Sequence, residues 1–144
     1  MILPDANLLI YAVNESLPQH EVARAWLEET LSGNESVGMP WICLLAFLRI
    51  TTRGDIFAHP LAPERAVGYV DEWLQQPFVR HVVAGENHWA VLRNLLAASG
   101  MAANLTTDAH VAALALESGA TVYSADNDFK RFAGVLHVNP LASA

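Results

Sequence analysis

Short apolar runs alternate along this chain with longer stretches in which apolar residues recur every three or four positions. Ile2 and Leu3 form a brief apolar run that reaches Asp5, and Leu8, Leu9 and Val13 follow at helical spacing. From His20 to Leu31, Ala23, Trp26, Leu27 and Leu31 line one face while Glu21, Glu28 and Glu29 fall outside it. That is an amphipathic helix, ended by Gly33 and Asn34. Pro40 suits the first turn of another helix, PWICLLAFLRITTR, apolar nearly all round and so expected to be buried. HPLAPE reads as a loop, and Pro63 starts a helix with Val67, Val70 and Leu74 as its core stripe. FVRHVVA reads as a strand, followed by the helix NHWAVLRNLLAASG with Gly100 as its C-terminal cap. Thr106 or Thr107 is expected to cap DAHVAALALESG, which Gly119 ends; TVYSA and VLHVN are the last strands.

Strands and helices alternating through short joints predict an α/β fold, a parallel sheet covered on both faces. The 144 residues fit one domain, 1–144. In such sheets ligands gather at the carboxyl ends of the strands. Asp5 follows ILP and Asp126 follows TVYSA, so both aspartates stand at such ends.

Composition narrows the choice of function. The net charge of −7 argues against binding nucleic acid through a broad basic surface. It leaves room for a nuclease whose acids surround cations, because the metal reverses the local sign. A hydrophobic share of 53% is high for a small monomer and points to a dimer or partner interface. The one cysteine, Cys43, forms no disulfide within the chain, which fits a reducing cytoplasm. Met1–Val13 lacks the basic start of a signal peptide, and the apolar run from Val37 to Ile50 is too short to cross a bilayer. A soluble cytoplasmic protein without membrane partners is expected.

Four carboxylates carry the candidate chemistry. Asp5 and Asp126 leave strands read as neighbours, Asp108 opens a helix, and Asp128 follows two residues after Asp126. Taken singly, Asp108 is a helix cap and Asp126-Asn127-Asp128 a solvated turn. Asp5 is harder to dismiss: burying even a neutral polar group without a partner costs roughly 2–7 kcal/mol, and no lysine or arginine is near it in sequence. Together the four suit a hard cation such as Mg²⁺ or Mn²⁺, which takes oxygen ligands and serves phosphodiester hydrolysis. Arg49, Arg53, Lys130 and Arg131 flank these acids in sequence and suit either phosphate contacts or ordinary surface charge. Arg49, in a buried-type helix, is expected to pair internally with a site carboxylate. The six histidines show no i, i+4 pair for zinc, and His110 reads as packing or a surface contact rather than a general base. The four tryptophans read as core or interface residues.

ILPDANLLIYA, NLTTDAHVAALALESGATVYSADNDFKRF and the closing VNP resemble the PIN-domain ribonucleases, and among them the VapC toxins of bacterial toxin–antitoxin pairs. The resemblance runs the length of the chain. It implies a three-layer α/β/α sandwich and Mg²⁺- or Mn²⁺-dependent endonucleolytic hydrolysis of RNA, by in-line attack of metal-activated water. It also implies a transfer or ribosomal RNA substrate, a cognate VapB-like antitoxin and a homodimer. By motif position Asp5, Asp108 and Asp126 match the family's metal-binding acids, and Asp128 an additional acid. Ser124 matches a serine or threonine beside the site, and Asn7 and Asn104 are amides that support the acids or touch substrate, although Asn7 also suits a plain helix cap. One departure stands out. Where the family carries a glutamate in a stretch reading roughly laEllR, this chain reads LLAFLR, with Ala46 at the acid's place. That departure implies one metal in place of two, weaker binding, or, alternatively, a non-catalytic PIN-like module that binds RNA or a partner.

Overall fold

The structure, a computed structural model, describes residues 1–100 and 105–142. In chain order its elements are β1 (Ile2–Pro4), α1 (Ala6–Val13), α2 (His20–Ser32), β2 (Val37–Pro40), α3 (Trp41–Thr51), α4 (Pro63–Leu74), β3 (Val79–Val82), α5 (His88–Ser99), α6 (Thr106–Ser118), β4 (Thr121–Tyr123) and β5 (His137–Val138). A 3₁₀ helix, Asn127–Arg131, lies between the last two strands. The strands are parallel and ordered β3-β2-β1-β4-β5. β1 therefore runs beside β4, with Ile2 opposite Thr121 and Pro4 opposite Tyr123, which brings the ends that carry Asp5 and Asp126 together.

The period of two along each strand divides the core. Leu3 and Val122 point to one face, where they meet α6 and Leu95 of α5. Ile2, Val37 and Met39 point to the other, where they meet α1 to α4. The result is the α/β/α sandwich that the resemblance implies. Among the described residues no helix is long and apolar enough to cross a membrane.

Three expectations need correction. Val37–Pro40 is a buried strand, hidden in sequence because Gly38 interrupts its apolar run and proline is rare in sheets. Pro40 closes β2 and stands at the N-cap of α3, with φ −76° and ψ 146°, rather than inside the helix. Gly38 is required there: a Cβ would collide with Cγ2 of Val82 on the adjoining strand and crowd Sδ of Met1. The buried stripe of α4 is Ala66, Val70 and Trp73, whereas Val67 is exposed. At the start of α6, Leu105 occupies the cap position without a side-chain bond, and Thr106 and Thr107 face solvent. Gly100 and Gly119 end α5 and α6 in the left-handed conformation, both at φ 67°, as expected of C-terminal glycines.

Candidate functional site

Two parallel strands and one helix bring the acids to the carboxyl edge of the sheet. Asp5 follows β1 and caps α1, its Oδ1 accepting from the Ala6 amide at 2.8 Å. Its Oδ2 accepts from the Ser124 hydroxyl at 2.8 Å. Ser124, fully buried at the end of β4, also accepts from the Asp126 amide at 3.0 Å and from Nδ2 of Asn7 at 3.1 Å. Oδ1 of Asn7 in turn accepts from the Ala125 amide at 3.4 Å. Ser124 thus ties the first aspartate to the loop that bears the third. Asp126 caps the 3₁₀ helix, its Oδ1 accepting from the Asp128 amide at 2.8 Å. Asp108 sits in the first turn of α6, where the helix dipole favours an anion.

Carboxylate oxygens of Asp108, Asp126 and Asp128 lie within 4.8 Å of one another. Asp5 stands beside this trio with both oxygens hydrogen-bonded. Burial pushes the Asp108 carboxyl up to about 7, and the charges of Asp5, Asp126 and Asp128 push the same way. Burial also raises the Asp5 carboxyl, partly offset by the bonds from Ser124 and Ala6. Crowded acids that resist ionisation are what a divalent cation relieves. The donor set is all oxygen, which suits Mg²⁺ or Mn²⁺ better than a soft metal.

The other expected residues scatter. Arg131 pairs with Asp128 at 3.3 Å and stands at the rim. Arg49 is exposed on α3 and forms no ion pair among the described residues, so the expected internal pair is absent. An apolar helix suggested burial, but α3 presents Trp41 and Leu45 to solvent and Arg49 lies one turn further along that side. Arg53 pairs with Asp55 on the surface. Asn104 lies outside the described residues. Ala46 is half-buried on α3, and no residue of that helix is an acid.

Sequence reasoning missed two features near the acids. The Cys43 thiol, on the buried side of α3, lies 4.0 Å from Oδ1 of Asp5, and burial raises its pKa well above the usual thiol range. On α5 and α6, His88 bridges Glu117 and His110: its Nδ1 lies 2.5 Å from Glu117 Oε2 and its Nε2 2.8 Å from His110 Nδ1. The spacing of His110 and Glu117, seven residues and hence about two helical turns, was the available signal.

The chain is similar to known proteins along most of its length. The family model described as PIN domain matches residues 2–135. Ribonuclease VapC33 of Mycobacterium tuberculosis is 43% identical over 141 residues, covering 98% of this chain and 99% of its own. Among solved structures, VapBC2 from Rickettsia felis bound to a promoter DNA fragment superposes with a TM-score of 0.70 at 18% identity, covering 96% of this chain and 98% of that one. Mycobacterium tuberculosis VapC20, described as a sarcin–ricin loop cleaving toxin, gives a TM-score of 0.69 at 21% identity, covering 97% and 100%.

Proposed function

The chain belongs to the PIN-domain family, in the branch of the VapC ribonucleases, and we propose that it is a divalent-metal-dependent endoribonuclease acting as the toxin of a toxin–antitoxin pair. The observation that carries the chemistry is the convergence of Asp108, Asp126 and Asp128 within 4.8 Å, beside Asp5. Asp108, Asp126 and Asp5 would hold Mg²⁺ or Mn²⁺, with Asp128 completing the acidic wall where Ala46 supplies no carboxylate. Such a cation, when bound, neutralises phosphate charge and makes water a competent nucleophile near neutral pH. The chain's own part is placement. Ser124 and the Ala6 amide fix both oxygens of Asp5, and Asn7 holds Ser124 and the Ala125 amide, so the acids keep their spacing as substrate arrives. Arg131, at the rim beside Asp128, is placed to meet a neighbouring phosphate.

Structured RNA loops, of transfer or ribosomal RNA, fit a chain whose net charge of −7 allows little gain from phosphate attraction alone. A VapB-like antitoxin is the expected partner, as in the VapBC2 complex. Large apolar residues left exposed, Trp89 and Leu116 among them, suit a homodimer. A cytoplasmic location follows from that role.

Incubating the purified protein with structured RNA, with and without Mg²⁺ or Mn²⁺, tests the reading. Cleavage should require the metal and fall at least about 100-fold in Asp126→Asn, the upper end of what loss of a supporting partner alone costs at a metal site. Cleavage that ignores chelator, or survives in the variant, sinks it. RNA binding without any cleavage favours the non-catalytic module, which the lack of an acid on α3 recommends as the second reading.

A further inference from the structure

A small cleft of about 210 Å³ is lined by Pro40, Trp41, Val82, Val83, His110 and Leu114 among others. It lies at the carboxyl ends of β2 and β3, and β2 adjoins β1, whose end carries Asp5. Two helices contribute residues to both the cleft and the acidic site. α3 contributes Trp41 to the cleft and, two residues on, Cys43 against Asp5. α6 contributes Asp108 to the acids and, two residues on, His110 to the cleft.

The walls of the cleft differ in kind. Trp41 is 50% exposed, and its ring stacks on His81 at 5.4 Å between centroids and 17° between planes. Val82, Val83 and Leu114 supply apolar surface. The one polar wall has a direction. An ionised Glu117 only accepts, so Nδ1 of His88 bears the proton of their bond. With the rings neutral, His88 Nε2 is then an acceptor and takes the proton of His110 Nδ1 at 2.8 Å. His110 Nε2 is left as a lone-pair nitrogen. A flat aromatic platform beside an oriented acceptor is what a nucleobase needs, stacking on one and donating a base-edge N–H to the other. The acidity of the chain adds weight, since base contacts must supply affinity that phosphate attraction does not.

We propose that this cleft is a nucleobase subsite, in which an unpaired base flanking the scissile phosphate stacks on Trp41 and donates a hydrogen bond to His110. The proposal rests on the ribonuclease reading above and adds how a neighbouring nucleotide is held. An apolar partner surface would also cover Trp41, but it would make no use of the acceptor that Glu117 and His88 orient.

The test is an abasic scan: RNA oligonucleotides that the protein cleaves, each with one base removed near the cut, assayed for KM and, by fluorescence anisotropy, for binding. In wild type one position should show a rise of about ten-fold in KM and in Kd, in keeping with loss of one stacked base. Trp41→Ala should show that weakening with every substrate and no further abasic effect, while Trp41→Phe retains the wild-type pattern. His110→Ala should keep the abasic effect yet discriminate less between bases. Cleavage by Trp41→Ala with an unaltered abasic profile overturns the subsite and leaves the ribonuclease reading intact. Binding without cleavage overturns the ribonuclease reading and, with it, a subsite defined by the scissile phosphate. Neither binding nor cleavage overturns both. If sedimentation shows that Trp41→Ala dissociates a dimer, Trp41 belongs to an interface between copies and the subsite is overturned.

Discussion

The two helical layers cover the same sheet by different means. On the side of α1 to α4 the core is aromatic and interlocked. Phe47, fully buried, meets Trp73 edge-on at 4.7 Å and Tyr69 at 6.4 Å, and Trp26 stacks on Tyr123 at 5.6 Å. On the other side α6 buries Ala109, Ala112, Ala113 and Ala115, small residues that let it lie close to the strands. α5 lies outside it, with Leu95 as its buried residue and the chain Glu117–His88–His110 binding it to α6. One layer supplies apolar bulk. The other places functional groups, Asp108 at the start of a closely packed helix and His110 one residue beyond the buried Ala109.

If the aromatic layer carries most of the stability, removing its centre should have the largest effect. Phe47→Ala should lose about 3–5 kcal/mol by urea denaturation, because the two neighbouring rings, Tyr69 and Trp73, cannot close the space. A loss under about 1 kcal/mol would mean that the layers share the load evenly.

The second layer should fail locally instead. Glu117→Ala leaves the partly buried Nδ1 of His88 without its acceptor, at a cost of about 1–3 kcal/mol, while the exposed Gly85 amide turns to water. Its signature should be faster amide hydrogen exchange in α5, with the amides of α1 to α4 unchanged. Uniform acceleration across both layers would show that α5 is integral to the global fold and that the contrast is wrong.

The same contrast explains what could be read from sequence. Helices with a full apolar stripe were legible because periodicity reports burial directly, as with His20–Ser32. The strand Val37–Pro40 was not: four residues with a glycine and a proline carry no period, and the strand exists because β1 and β3 flank it on both sides. Asp5 and Asp126 could be placed together because the parallel sheet sends the ends of β1 and β4 to one edge. The finer division of the acids was not legible, since hydrogen bonds from Ser124 and Ala6 engage Asp5 while Asp128 is the acid that clusters with Asp108 and Asp126. Arg49 misled for a related reason. Helix α3 is apolar on its exposed side too, so composition alone placed the arginine indoors.

The smallest effect is the one that separates structural from functional charge. Asp108 titrates near 7 in the folded protein against an ordinary 3.8, raised first by burial and then by its acidic neighbours. Below about pH 4 the group is protonated in both the folded and the unfolded chain and contributes nothing. Between about 4 and 7 the folded chain keeps a proton that the unfolded chain releases, so stability falls as pH rises through that window. Above 7 both are ionised and the penalty stays constant. Asp108 is half exposed, which keeps the effect modest, so it is best read as a difference. The stability of wild type relative to Asp108→Asn should decline from pH 4 to 7 and then level off. Excess Mg²⁺ should recover more of it at pH 8 than at pH 5, because protons and cation compete for the same oxygens. A difference that stays flat or rises across the window would show that neither burial nor the neighbouring acids oppose ionisation of Asp108, and would leave the convergence of the carboxylates as the remaining reason for expecting a cation.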